Sequence, residues 1–118
     1  MPRQPVVVIV EDEAALGPVL AELFKAEGYE AFVVTDCEAA RDVAADREVD
    51  LVIVDAAPDA DPEGFHDCAV IAVRDPRDVG IPFFGAWRVD GRTATLSRPY
   101  RLDDLMAAAR EVVTVGPS

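Results

Sequence analysis

The chain has 118 residues, 51% of them apolar, with 11 basic and 23 acidic side chains and a formal net charge of −12. That length fits one domain around one hydrophobic core, and the apolar fraction excludes a disordered chain. The charge balance argues against nucleic-acid binding or an anionic membrane surface, both of which need clustered Lys and Arg, and it favours a bound cation.

No apolar run approaches the ~18 residues needed to span a bilayer, so no membrane partner is expected. Met1-Pro2-Arg3-Gln4-Pro5 leads into a strand pattern with no secretory leader. Cys37 and Cys68 have no short-range pairing pattern and read as core or boundary thiols in a reducing cytosol. The expected location is cytoplasmic.

Val6-Val7-Val8-Ile9-Val10 is a continuous β-branched run and reads as a buried strand. Residues 14–27 follow as a helix, with Leu16, Val19, Leu20, Leu23 and Phe24 on one apolar face, Pro18 near the first turn and Gly28 as the stop. Residues 30–35 read as a second strand. A short helix over 37–47 takes Asp36 as its N-cap and turns Ala40, Val43 and Ala44 inward. The third strand, 50–55, ends with the apolar run Leu51-Val52-Ile53-Val54 and then Asp55.

Residues 56–64 are a loop by their Pro, Gly and Asp content. Segment 65–75 fits helix or strand. The alternation of elements favours a crossover helix there. Ile81 to Ala86 read as a fourth strand, 88–92 as a turn, and Thr93 to Ser97 as a fifth strand. A last helix spans 102–113, with Asp103 and Asp104 in its first turn. The pattern is one domain over 1–118, a doubly wound α/β fold with a five-stranded parallel sheet. The 88–92 turn is too short for a fourth helix, which is therefore expected to be reduced or absent.

Two of these strands end on acids: the first on Glu11-Asp12-Glu13, the third on Asp55. Buried parallel strands present functional groups at their carboxyl ends, so the acids converge at one edge of the sheet. Carboxylates so close repel one another unless a cation lies between them, and hard oxygen ligands suit Mg²⁺. The bland alternative is a set of solvated loop acids; two strand ends alike make that the weaker reading. Glu13 fits better as an acid at a helix start.

The chain resembles the receiver domain of bacterial two-component response regulators. The resemblance spans essentially its whole length and rests on Val8-Ile9-Val10-Glu11-Asp12-Glu13, on Asp50-Leu51-Val52-Ile53-Val54-Asp55 and on Arg98-Pro99-Tyr100. It implies a flavodoxin-like sheet of order 2-1-3-4-5. It also implies phosphoryl acceptance on Asp55, with Mg²⁺ held by Glu11, Asp12, Asp55 and the carbonyl of Ala57. The implied role is signalling rather than enzymatic. Expected partners are a histidine kinase or phosphotransfer protein, a downstream protein reached by contact, and, as an open question, a second copy of the chain. Ile81-Pro82-Phe83-Phe84-Gly85-Ala86-Trp87 further resembles the Pro-Phe-x-Phe-Ala-Thr-Gly-Tyr signature of single-domain receivers with a shortened fourth helix.

The departures lie in the residues that read the phosphoryl group. Counted forward from Pro82, the family's switch Thr/Ser falls on Trp87, which has no hydroxyl. The phosphate-contacting Lys falls on Arg98, which keeps the charge on a wider planar head. The switch aromatic falls on Thr95. The alternative function is therefore a pseudo-receiver, a protein-binding module that works without phosphorylation. His66 stands alone, with no Cys or His at ligand spacing, and reads as a surface or satisfied histidine. Asp59 and Asp61, with Glu11, faintly resemble a Toprim-type metal centre, which the acidity of the chain and the lack of a Gly after Glu11 oppose. A nucleotide- or flavin-binding protein is opposed by the acidic loop after the first strand.

Overall fold

The computed structural model describes residues 4–11, 13, 15–55, 68–74, 87–90, 92–97 and 100–114. Strand β1 (Val6–Glu11) is buried along its whole length, as its unbroken β-branched run requires. It is followed by helix α1 (Leu16–Ala26), strand β2 (Glu30–Val34), helix α2 (Cys37–Asp46) and strand β3 (Leu51–Asp55). Strand β4 (Ala69–Arg74) comes next, then β5 (Trp87–Asp90), β6 (Thr93–Ser97) and helix α3 (Leu102–Thr114).

The sheet runs β2-β1-β3-β4-β6-β5. Its first five strands are parallel, in the doubly wound order expected, and β5 alone is antiparallel, paired to β6. Two positions differ from the sequence expectation. Ala69–Arg74, expected within a crossover helix over 65–75, is the fourth parallel strand. Arg88, Val89 and Asp90, expected in a turn, belong to the edge strand β5. The fourth strand expected over 81–86 lies outside the described residues. Among the described residues, the connection from β4 to β6 contains a strand and no helix.

Side-chain alternation divides the core in two. Val7, Ile9, Leu51, Ile53, Ile71, Val73, Ala94 and Leu96 pack with Leu20, Phe24, Leu105 and Val112 from α1 and α3. Val6, Val8, Val10, Val52, Val54 and Val70 pack on the other face with Cys37 and Ala40 of α2. Residues i and i+2 of each strand share a face, which is why one run supplies both cores.

The helices start and stop where local chemistry dictates. Asp36 Oδ1 accepts the Ala39 backbone N–H at 2.8 Å, capping α2. Gly28 takes φ 94°, and Tyr29 N–H donates to the Phe24 carbonyl at 2.9 Å, closing α1 with a left-handed turn. At the far end of α2, Arg47 bonds Glu30 at 2.9 Å and lies 4.7 Å from the centre of the Phe32 ring, tying the helix end to β2.

Candidate functional site

Strands β1 and β3 run side by side, with Val7↔Leu51, Ile9↔Ile53 and Glu11↔Asp55 as partners. The last pair closes both strands, so two carboxylates stand next to each other at the carboxyl edge of the sheet. Each residue is only 5% exposed. They share the face that carries α1 and α3, because they continue the Val7–Ile9 and Leu51–Ile53 alternation. Glu11 Oε1 accepts the backbone N–H of Glu13 at 3.0 Å, which fixes the chain as it leaves β1. The Glu13 carbonyl in turn accepts the Leu16 N–H at 3.2 Å and starts α1.

The donor set suits a hard divalent cation: two buried carboxylates, in register, in a strongly acidic chain. Among the described residues no group of three or more His, Cys, Asp or Glu side chains gathers. Asp12, Ala57 and Arg98, the other expected members of the site, lie outside the described residues. Glu11 and Asp55 are brought together as the sequence indicates.

Trp87 lies elsewhere. It begins β5 opposite Leu96, and β4 and β6 stand between β5 and β3. At about 4.8 Å per strand, its backbone is roughly 14 Å from that of Asp55. The ladder between β3 and β4 runs Ile53↔Ile71 and Val54↔Ala72. The next position along it sets Asp55 beside Val73, an apolar side chain only 3% exposed.

Sequence reasoning missed the end of β4. Arg74 closes that strand and is the register partner of Ser97, which closes β6. A signal was present: Ala69-Val70-Ile71-Ala72-Val73-Arg74 is an apolar run ending on a charge, like those ending on Glu11 and Asp55. Ser97 is fully buried, and among the described residues its hydroxyl has no hydrogen-bond partner.

No protein-family model matches the chain, and no curated protein matches it. Solved structures do. The receiver domain of the TMAO respiratory system response regulator TorR superposes with a TM-score of 0.72 at 21% identity, covering 93% of this chain and 97% of that one. The non-phosphorylated HemR receiver domain from Leptospira biflexa gives 0.70 at 16%, covering 98% of each chain. The receiver domain of the hybrid histidine kinase CckA gives 0.67 at 23%, covering 92% of this chain and 98% of that one. The chain therefore has the receiver, or CheY-like, fold over nearly the whole length of these neighbours.

Proposed function

We propose that the chain is an atypical single-domain receiver in two-component phosphorelay signalling, with Asp55 as the phosphoryl acceptor. The observation that carries this reading is the in-register pair Glu11↔Asp55, buried at the carboxyl edge of a receiver-type sheet. Asp55 is the last residue of β3, so its carboxylate ends a rigid element rather than a loop. Glu11 closes β1 and accepts the Glu13 N–H.

Mg²⁺ held by Glu11, Asp12, Asp55 and the Ala57 carbonyl would neutralise the carboxylates and the charge on a transferring phosphoryl group. The phosphoryl donor in this reading is a histidine kinase or phosphotransfer protein, and output is by protein contact rather than by catalysis. Arg98 stands where the family's phosphate-contacting Lys is expected. The single-domain subgroup is supported by the Ile81–Trp87 sequence, and by a β4–β6 connection that carries an edge strand and, among its described residues, no helix.

A second reading is favoured by Val73. An apolar side chain beside Asp55 offers no hydroxyl to read a phosphoryl group, as a phosphorylation-independent binding module would not require one. Intact-mass measurement after incubation with Mg²⁺ and acetyl phosphate separates the two. An added phosphoryl mass, absent in Asp55→Asn, supports the receiver. No added mass with either phosphoryl donor, acetyl phosphate or a phosphorylated phosphotransfer protein, overturns it in favour of the binding module.

A further inference from the structure

We propose that Arg74 and Ser97 form an oxyanion-binding position on the face of the sheet opposite Glu11 and Asp55. The two are register partners in the parallel β4–β6 ladder and so point to the same side. Their neighbours Val73 and Leu96 belong to the core that packs under α1 and α3, which turns Arg74 and Ser97 to the other face. Glu11 and Asp55 continue the first face. The carboxyl edge therefore carries acids on one side and a guanidinium with a hydroxyl on the other.

The Ser97 side chain is fully buried and, among the described residues, its Oγ has no hydrogen-bond partner. A hydroxyl in that state is a donor without an acceptor, and such groups are rare in folded proteins. Arg74 is half-buried beside it. Among the described residues no ion pair of Arg74 is found. Planar guanidinium forks match carboxylate and phosphate oxygens, and a neighbouring hydroxyl adds a further donor to the same group. Arg74 excludes a cation there, while an uncharged acceptor would satisfy the hydroxyl and leave the guanidinium charge unmatched. The ligand chemistry is thus a phosphate or carboxylate oxyanion. This position is independent of phosphoryl acceptance on Asp55.

The test is a titration followed by amide NMR on the full chain, with inorganic phosphate, acetate and sodium chloride at equal ionic strength. Wild type is compared with Arg74→Gln, Ser97→Ala and Asp55→Asn, each checked for folding by circular dichroism. Saturable shifts at Arg74 and Ser97 are expected with phosphate or acetate and not with chloride; which of the two binds more tightly identifies the oxyanion. Affinity should fall about tenfold in Arg74→Gln and by roughly threefold or more in Ser97→Ala. In Asp55→Asn the shifts at Arg74 and Ser97 should persist, with affinity no lower than in wild type. Shifts that chloride reproduces, or that survive both substitutions, overturn the proposal. So do shifts that move instead with Glu11 and vanish in Asp55→Asn. Should Arg74→Gln fail to fold, the Ser97→Ala titration decides alone, since removing one buried hydroxyl leaves the packing in place.

Discussion

Glu11 and Asp55 are the last register partners of the β1–β3 ladder, and each is 5% exposed. Neither carboxylate can move far from the other, because each ends a strand buried on both faces. A cation that binds both stabilises the folded state and has no equivalent site in the unfolded chain.

Mg²⁺ should therefore raise the melting temperature of the wild type and not that of Glu11→Gln or Asp55→Asn. At a concentration about ten times Kd the linkage is worth about 1.4 kcal/mol, a shift of several degrees for a domain of this size. Thermal unfolding by circular dichroism, with and without Mg²⁺, measures it. Equal shifts in all three proteins would mean that the ion binds elsewhere.

Asp50 ties the start of the sheet together. Its Oδ2 accepts the Val6 N–H at 2.7 Å, its own N–H donates to the Val6 carbonyl at 2.9 Å, and its carbonyl accepts the Ala69 N–H at 3.0 Å. Asp50→Ala removes the charged acceptor and should cost about 1.5–3 kcal/mol. Asp50→Asn keeps an acceptor in place and should cost less. Urea unfolding of the two variants gives the comparison; equal losses would show that the charge, and not the bond, matters.

Much of this architecture is legible in the residues. The runs ending on Glu11 and Asp55 are continuous, β-branched and bounded by polar segments, which leaves little besides a buried parallel strand. The Asp36 cap and the Gly28 stop follow from local hydrogen bonding alone. Strand β4 was harder because Ala69 and Ala72 weaken its strand character and nothing in Cys68–Val73 has a period. The alternation of elements then pointed to a helix. In β5, Trp87-Arg88-Val89-Asp90 is too short to show a pattern. The pair Gly91-Arg92 ahead of Thr93–Ser97 is its signal, since two-residue Gly-x steps join hairpin strands. With β4 at Ala69–Arg74, the position beside Asp55 is Val73 and not one counted forward from Pro82.

Gly17 lets α1 lie close on β2. A Cβ built there would come 2.6 Å from Val33 Cγ1, nearer than side chains tolerate. Gly17→Ala gains up to about 1 kcal/mol in helix propensity, yet the clash should win, with a net loss of about 1–2 kcal/mol. In Gly17→Ala/Val33→Ala the obstacle is gone and most of the loss should be recovered. A double-mutant cycle by denaturant unfolding reads the coupling directly. Additive effects would mean that the helix shifts rather than clashes.

Tyr29 sets the alkaline limit of the fold. It packs edge-on to Phe24 with ring centres 5.2 Å apart. Burial raises its pKa above the ordinary tyrosine value of 10.0, and the negative charges of Asp50 and Glu27 raise it further. The neutral phenol is thus favoured more in the folded chain than in the unfolded one. Its contribution is fully present below the unfolded pKa and is lost as pH rises from there through the folded pKa. Stability should accordingly decline above about pH 10. Tyr29→Phe should show a shallower decline over the same range, and Asp50→Asn an intermediate one, because it removes one of the two charges that raise the pKa. Melting temperatures of the three proteins between about pH 8 and pH 11 provide the measurement. Parallel curves for wild type and Tyr29→Phe would assign the alkaline loss to other groups.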